Sequence, residues 1–468
     1  MRKIDLFEKG FAFIVIGLLI CSGLGLLPTQ TQATINNSRY DFIIITPVDF
    51  SNELQPLVTH KEQHAISTKI VTLDDIYDSV YFPTQGRDDA EKIKYFIKNA
   101  HESWGIRYVM LVGGKEEVPA RYVDLYNYSG EPLQCISDLY YADLYFTNES
   151  FCSWDSNNDS IFAGQSSKGL VDKVDFCPDV AVGRILCRNQ TEVQHIVEKI
   201  ITYENTVYGK EWFHNLILCG GDFAELGLRE RTVPKMLNRT GRIVWEGEYL
   251  GDMVAEIMKG FNAKKIYASG LFKQGMKFLT VKNINNAVDE GAGFLLFVGH
   301  GNYDNAIQTN FPFSKRIWLP YPHNYKITDS NSLKNGDKLP VSIFLGCYCG
   351  DFMSVASPVA WEFIRKENGG AIASFAATCG AFGIFSSLFP ETFTPLLILN
   401  TFKFYSEGTD IMGDIWSKAI QTYLNDKDAW SLGDDFSMLN WNHPLANFLV
   451  LEEWILLGDP TLKIGGHS

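Results

Sequence analysis

The chain has 468 residues, more than one typical domain, of which 46% are hydrophobic and 21% charged. This composition is that of a globular protein and excludes a wholly disordered chain. The formal net charge of −14 argues against nucleic-acid binding, which needs a basic surface, and fits a protein kept soluble by its charge.

The amino terminus has the pattern of an export signal. Basic residues precede an apolar run from Gly10 to Leu27, and Thr31-Gln-Ala33 offers small residues for cleavage. We therefore predict a signal peptide over residues 1–33 and a secreted protein. If the run stays uncleaved it becomes an anchor and the protein is cell-surface associated; membrane contact is expected only through this segment.

From Tyr40 onward, short apolar runs alternate with amphipathic segments, which is the pattern of a parallel α/β sheet. Before residue 210 we expect strands at 41–47, 67–72, 108–114 and 179–184, and helices at 54–64, 88–103 and 191–203. After residue 210 we expect strands at 215–222, 264–267, 294–298, 340–345 and 369–377, and helices at 251–261, 281–290, 358–366, 394–406 and 411–424. The predicted fold is α/β, with two successive units of mostly parallel sheet flanked by helices, over residues 34–210 and 211–468.

Two of these strands lead into residues that can do chemistry. His300 follows the apolar run 294–298 and stands between two glycines, and Cys347 follows the run 340–345. Ligands and reactions gather at the carboxyl ends of strands in open α/β sheets. A thiol attacks only as the thiolate, which a neighbouring imidazole can generate near neutral pH. Each residue alone is readily explained as part of the core, but together they predict a nucleophile and its base.

Gly301, directly after the histidine, fits the same chemistry. Without a side chain, its backbone N–H can approach a substrate and donate a hydrogen bond to a developing oxyanion. The turn that begins at Cys347 can present a second N–H. The pattern predicts acyl transfer through a cysteine.

The chain resembles the gingipain-type cysteine peptidases, which belong to the caspase-like clan. In caspases the histidine precedes the cysteine by about 50 residues, and here the separation is 347 − 300 = 47. The resemblance covers most of residues 40–465, in order, and rests on Ser137-Asp-Leu-Tyr-Tyr-Ala-Asp143, Trp154-Asp-Ser-Asn-Asn-Asp159, Pro178-Asp-Val-Ala-Val-Gly-Arg184, Val298-Gly-His-Gly301, Cys347-Tyr-Cys-Gly-Asp-Phe352, Gly369-Gly-Ala-Ile-Ala373 and Leu456-Leu-Gly-Asp-Pro460.

This resemblance implies a caspase-like catalytic unit over 211–468 and an endopeptidase that works through a thioester. In the family two residues separate the nucleophile from Gly-Asp-Phe, which selects Cys347 and leaves Cys349 as a small neighbour. His300 is then the general base and Gly301 the oxyanion donor. Protein or peptide substrates are expected, and the chemistry needs no cofactor.

Two other functions remain open at this point. An amine acceptor in place of water would make the protein a transpeptidase that processes exported proteins in the manner of a sortase. Alternatively, the chain is a non-catalytic surface module that keeps the fold and is stabilised by calcium.

An acidic residue is expected to orient His300. Asp222 follows the strand at 215–222, at a carboxyl edge of the sheet. Glu248, together with Glu246, lies in the region that carries acidic active-site and specificity residues in the gingipains. We rank Asp222 and Glu248 first, against the alternative of a solvated acidic loop.

A calcium loop is the last candidate site. Asp155, Asn157 and Asp159 place oxygen-bearing side chains in alternation, as at the start of an EF-hand loop, although its usual Gly and final Glu are missing. Asp143, slightly earlier in the chain, is expected to complete the cage, and the family resemblance implies calcium sites. The alternative is a polar surface turn.

Cysteine usage leaves the disulfide pattern open. In an oxidising compartment Cys135 can pair with Cys152, and Cys177 with Cys187. Spacing alone does not decide the connectivity.

Overall fold

One sheet of eleven strands runs through the computed structural model, which describes residues 39–125, 133–166, 169–221, 246–271, 274–308, 325–381, 393–426 and 446–468. Including the strands of three small sheets, the described strands in chain order are β1 (Phe42–Thr46), β2 (Thr68–Thr72), β3 (Tyr108–Val112), β4 (Tyr122–Leu125), β5 (Leu133–Ile136), β6 (Gln165–Ser166), β7 (Gly169–Leu170), β8 (Ala181–Ile185), β9 (Asn215–Gly220), β10 (Asn262–Tyr267), β11 (Lys277–Phe278), β12 (Phe294–Val298), β13 (His300–Asn302), β14 (Asn305–Gln308), β15 (Tyr325–Lys326), β16 (Val341–Leu345), β17 (Ala373–Ala377) and β18 (Trp454–Leu457).

Helices connect these strands. In the described residues the α-helices are α1 (Gln55–Gln63), α2 (Leu73–Tyr77), α3 (Asp89–Trp104), α4 (Leu139–Ala142), α5 (Gln190–Thr206), α6 (Glu246–Ile257), α7 (Val281–Glu290), α8 (Ile327–Ser330), α9 (Val359–Arg365), α10 (Phe393–Ser406), α11 (Met412–Asn425) and α12 (Ala446–Glu453). Short 3₁₀ helices occur at Val48–Phe50, Glu211–His214 and Ala268–Leu271. None of the helices in the described ranges is long and apolar enough to cross a bilayer.

Local sequence sets the helix ends. Asp88 caps α3 by accepting a hydrogen bond from the Glu91 N–H, and Gly105 ends it in the left-handed region at φ 78°. Asn189 caps α5 in the same way through the Glu192 N–H. These caps fix where each helix leaves and rejoins the sheet.

The large sheet has the strand order β11-β10-β9-β12-β16-β17-β18-β8-β3-β1-β2. Strands from before residue 210 (β8, β3, β1 and β2) form one side of it, and strands from after residue 210 form the other. The two sides meet where Leu457 of β18 pairs with Arg184 of β8, and β18 runs antiparallel to β17. Residues 39–468 thus form one compact unit, while the predicted division into subdomains at 210 stays a prediction.

The centre of the sheet is buried on both faces. Every residue of β12, β16 and β17 is buried, as expected for strands covered by helices on both sides. Lys115, just after β3, donates from its Nζ to the Met353 carbonyl, just after β16, at 2.8 Å. The carboxyl ends of β3 and β16 therefore lie at the same edge of the sheet.

The predicted fold class is confirmed: a large, mostly parallel sheet is flanked by helices. The predicted strand at 294–298 and helix at 281–290 match β12 and α7. The helix expected at 251–261 instead spans Glu246–Ile257. Neither α12 nor β18 was predicted, because the mostly apolar segment from 446 to 457, interrupted by Glu452 and Glu453, shows no clear period.

Candidate active site

The register of two central strands brings His300 and Cys347 to neighbouring positions in the sheet. β12 and β16 pair in parallel with Val298 opposite Leu345, and the Gly299 N–H donates to the Leu345 carbonyl at 3.1 Å. His300 and Cys347 each follow within two residues of that last pair. Both are partly exposed, so a substrate can approach this edge.

Gly301 lies against the turn that carries the cysteine. A Cβ added to Gly301 would stand 2.6 Å from Cys349 Sγ and 3.0 Å from the Cys347 carbonyl oxygen. Any side chain there would push the two segments apart. Glycine is therefore required to bring the residue after His300 into contact with the Cys347 turn.

The turn after β16 is held in a strained form by the end of β17. Tyr348 adopts φ 59°, in the left-handed region that costs a residue with a side chain free energy. Its N–H donates to the Cys379 carbonyl at 2.7 Å, and the Gly350 N–H donates to the Ala377 carbonyl at 2.8 Å. These bonds fix the direction in which Cys347 points.

The two cysteines of the turn differ in exposure. Cys349 is fully buried, whereas Cys347 is partly exposed and its Sγ lies 3.9 Å from the Ala381 carbonyl oxygen. Burial, followed by the negative charge of Glu453, raises the pKa of the Cys347 thiol to about 11. Cys347 is therefore the accessible thiol of the pair, and burial favours its neutral form.

Glu453 is an acidic residue near the site that sequence reasoning missed. Its Oε1 accepts hydrogen bonds from Trp454 Nε1 at 3.1 Å and from Thr394 Oγ1 at 3.3 Å, and Cys379 Sγ lies 3.9 Å from Oε2. The residue is fully buried at the junction of α12 and β18. The signal that could have revealed it is an acidic pair, Glu452-Glu453, inside an otherwise apolar stretch.

Of the acids proposed to orient His300, Asp222 lies outside the described residues. Glu248 is fully buried in the first turn of α6, and both carboxylate oxygens accept hydrogen bonds from Ser269, at 2.8 Å from the N–H and 2.6 Å from the hydroxyl. Gly247 brings this turn against the carboxyl ends of β9 and β12, because its added Cβ would meet Gly221 at 2.9 Å and the Val298 carbonyl at 3.0 Å. Glu248 thus lies near the correct edge, and its action on His300 stays a prediction.

The predicted calcium loop uses its oxygens for other partners. Asp155 accepts hydrogen bonds from the Asp159 and Ser160 N–H groups at 3.0 Å each, and Arg87 forms an ion pair with its Oδ2 at 2.6 Å. Asn157 and Asp159 hydrogen-bond each other at 2.8 Å. A calcium ion bound by Asp155 would therefore have to displace the Arg87 guanidinium from its carboxylate.

Asp143 is directed elsewhere. Its Oδ2 accepts from Trp154 Nε1 at 2.8 Å, and it groups with Cys152 and Asp175 rather than with the oxygens of the loop. Burial raises the pKa of the Asp143 carboxyl to about 8. Calcium binding by Asp143, Asp155, Asn157 and Asp159 remains a prediction for a metal titration.

The eight described cysteines are free thiols. The candidate pairs Cys135 with Cys152 and Cys177 with Cys187 are therefore not bonded in this structure. Cys135 instead lies beside Thr378, with its Sγ 2.9 Å from the threonine hydroxyl, and hydrogen-bonds with Cys379.

A mostly parallel sheet in which a histidine and a cysteine follow neighbouring central strands is the arrangement of a caspase-like cysteine peptidase. The chain belongs to peptidase family C25, whose model matches residues 35–465. Family membership places it among the cysteine peptidases and confirms the resemblance to the gingipains.

Individual relatives agree with this assignment. Gingipain R2 of Porphyromonas gingivalis is 20% identical over 425 residues, which are 90% of this chain but 45% of that protein, so the chain spans less than half the length of this relative. The crystal structure of the Arg-specific cysteine proteinase gingipain R matches with a TM-score of 0.60 at 18% identity, covering 92% of this chain and 78% of that one. The complex of Porphyromonas gingivalis RgpB pro- and mature domains gives a TM-score of 0.58, with 18% identity and coverages of 90% and 79%. At these identities the structural matches show the fold.

Proposed function

We propose that the chain is an endopeptidase that hydrolyses peptide bonds with Cys347 as nucleophile and His300 as general base. The observation that carries the proposal is the contact between Gly301 and the Cys347 turn, which only glycine permits. It joins the segment of the base to the segment of the nucleophile.

The raised pKa of Cys347 favours one form of the mechanism. Because burial raises the pKa of the thiol to about 11, we propose that the resting thiol is neutral rather than part of a standing thiolate–imidazolium pair. His300 takes the proton as the sulfur attacks the scissile carbonyl. General-base help of this kind contributes typically 10²–10⁴-fold in rate, as an order of magnitude.

The remaining steps follow from acyl transfer. The attack forms a sulfur–carbon bond and an oxyanion, which the Gly301 and Cys347 N–H groups stabilise. The carbon–nitrogen bond breaks as protonated His300 gives its proton to the leaving amine. Water, deprotonated by His300, then attacks the thioester and releases the acid and the Cys347 thiol.

We also propose that the enzyme acts outside the cell membrane on proteins or peptides. The basic and apolar stretch within residues 1–33 supports export, although it lies outside the described residues. The amino-terminal sequence of the protein recovered from the medium of an expressing cell tests this. A start near residue 34 is expected, whereas retention of the full chain in the cytoplasm contradicts export.

A cleavage profile on a peptide library tests the enzymatic proposal. Wild type is expected to cleave, and Cys347→Ala and His300→Ala to lose activity, while the matched Cys349→Ala variant retains it because Cys349 is buried. Hydrolysis that persists in Cys347→Ala refutes the assignment. If hydrolysis is lost only in Cys349→Ala, the nucleophile is Cys349 and not Cys347. Adding an amine acceptor reveals transpeptidation as a ligated product.

A further inference from the structure

A cluster of three histidines lies apart from the active site. His60 and His64 come from the end of α1, and His467 comes from the segment after β18. One imidazole nitrogen of each lies within 4.8 Å of the others. Their rings are already in contact, since the centroids of His64 and His467 are 3.5 Å apart.

The spacing on α1 suits a shared ligand. His60 and His64 are separated by four residues, which places both on one face of a helix, the spacing used by the paired histidines of helical zinc motifs. His64 is the cap residue that follows Gln63 at the end of α1. The third histidine reaches the same point from the other end of the sequence, so the cluster arises only on folding.

Neighbouring groups orient the rings as they do around metals. His60 Nε2 is 2.8 Å from Glu204 Oε2, and His64 Nδ1 is 3.2 Å from the His60 carbonyl oxygen. Each of these two rings is thus oriented through one of its nitrogens. Histidines that bind metals are typically held by a carboxylate or a carbonyl in this manner.

His467 contributes a nitrogen without a hydrogen bond. Its Nε2 is buried and makes no hydrogen bond to any described residue, with Glu204 Oε1 at 3.8 Å as a nearby acceptor. A buried imidazole nitrogen without a partner costs free energy unless it gains a ligand.

The charged groups around the cluster favour the binding of a cation. Two buried carboxylates, Glu204 and Asp459, flank the buried ammonium of Lys61, with contacts of 2.8 Å and 2.7 Å. Two negative charges against one positive charge leave a net charge of −1 beside three imidazoles. A divalent ion bound there is partly neutralised, and Lys61 remains paired.

We propose that His60, His64 and His467 bind one divalent transition-metal ion of the zinc class. Imidazole nitrogens favour zinc, cobalt, nickel and copper over magnesium or calcium. Zinc–nitrogen bonds of about 2.0–2.1 Å require the nitrogens to close by a small amount from their present separation. Water supplies the fourth ligand, and the ion joins α1 to the segment after β18.

The position of the cluster predicts a role in stability rather than in peptide hydrolysis. α1 and α5 lead back from the carboxyl ends of β1 and β8, so the final turns that hold His60 and Glu204 lie at the amino edge of the sheet. The proposed catalytic residues follow the carboxyl ends of β12 and β16, and the bond between Lys115 and Met353 shows that the carboxyl ends on both sides of the sheet share one edge.

Cobalt titration of the full chain tests the proposal, with Cys347→Ala as background so that the accessible thiol does not bind metal. One equivalent of Co²⁺ is expected to bind with the visible spectrum of a tetrahedral site and without a thiolate charge-transfer band, and Zn²⁺ is expected to displace it and to raise the melting temperature. His64→Gln and His467→Gln are expected to weaken binding by at least the 10- to 100-fold typical of losing a supporting residue.

The matched control is His214→Gln, which removes an exposed histidine that is not a member of the cluster. It is expected to bind metal as the background does. Failure of the background protein to bind, or equal binding by the His64 and His467 variants, overturns the proposal. Because His467→Gln alters a partly exposed residue, its circular dichroism and its peptidase activity in the wild-type background are expected to be unchanged, which separates loss of the site from unfolding.

Discussion

At the scale of single residues, the candidate active site depends on close approach between backbone segments. Gly301 has no space for a methyl group beside Cys349 Sγ and the Cys347 carbonyl. The Cys349 sulfur atom, which is buried from solvent, packs against Gly301 where a methyl group would stand. The geometry of the proposed nucleophile is thus set by residues that need not touch the substrate.

Gly301→Ala is expected to lower kcat/KM by about 100-fold, the cost typical of displacing a catalytic group by about 1 Å. The added methyl group would displace the Cys347 turn. Removing the sulfur in Gly301→Ala/Cys349→Ala is expected to recover part of the loss, because only the contact with the carbonyl remains. Steady-state kinetics of the two single variants and the double variant measure this coupling; purely additive losses would contradict it.

The ionisation of Cys347 gives a second prediction at this scale. Since burial and Glu453 raise its pKa to about 11, iodoacetamide should modify Cys347 slowly at pH 7. The rate should rise about tenfold per pH unit towards alkaline pH, because only the thiolate reacts. Mass spectrometry of the peptide that contains Cys347 measures the rate. A plateau below pH 7 would instead indicate a standing ion pair with His300.

How much of the site could be predicted depends on the kind of signal that each residue leaves. His300 and Cys347 follow apolar runs bounded by glycines, so their position at a sheet edge can be predicted from the sequence. The hydrogen-bond partner of a side-chain oxygen cannot be predicted in this way. Asp155 has the spacing of a calcium ligand, yet Arg87, 68 residues earlier, occupies its carboxylate. Glu453 was missed because Thr394 and Cys379, which contact its carboxylate, are brought near it only by folding.

At the scale of secondary-structure elements, the buried ion pair of Arg184 with Asp138 stabilises the sheet where β3 and β8 pair. Arg184 is fully buried; its Nε and one terminal nitrogen donate to Asp138 at 2.7 and 2.8 Å, and the other donates to the Gly113 carbonyl at 3.0 Å. Its guanidinium carbon also lies 5.2 Å from the Phe352 ring, beyond the Cys347 turn. The pair therefore connects the first side of the sheet to the candidate active site.

Asp138→Ala is expected to destabilise the protein by about 3–5 kcal/mol, because it leaves the Arg184 charge buried without its partner. Urea unfolding measures the change. The matched control is Arg188→Ala, which removes a partly exposed ion pair with Glu192 at 2.7 Å and should cost less than about 1 kcal/mol. Equal costs for the two variants would mean that the Arg184 pair contributes no more than a surface pair.

At the scale of the whole molecule, the two sides of the sheet are joined where the backbone segments at Gly183 and Gly458 lie in close contact. A Cβ at Gly183 would collide with the Gly458 carbonyl oxygen and stand 3.0 Å from Pro460. Periodicity in the sequence predicted most strands on each side. It could not reveal this junction, because β18 comes far later in the chain than β8 and its segment shows no clear period.

Gly183→Ala is expected to lower the free energy of unfolding by at least about 1–3 kcal/mol, since the collision is with backbone that cannot move alone. Hydrogen exchange should show β1 and β16 losing protection together, because both belong to one sheet. Gly260→Ala is the control, as no atom lies within 4 Å of its added Cβ. Loss of protection confined to β1 would show instead that the two sides of the sheet unfold separately.

The position of β18 in the chain has a consequence for biosynthesis. Chains emerge from the ribosome amino-terminus first, and pairing between distant segments forms slowly. β18 begins 454 − 185 = 269 residues after the end of β8, the strand it joins. The last turn of α12 also supplies the carbonyl of Glu453, which accepts from the Thr378 N–H at 2.7 Å beside the Cys347 turn. A nascent chain therefore carries its cysteine and histidine for some time before it holds the segment that braces them, and we expect proteolytic activity only after the residues of β18 have been synthesised.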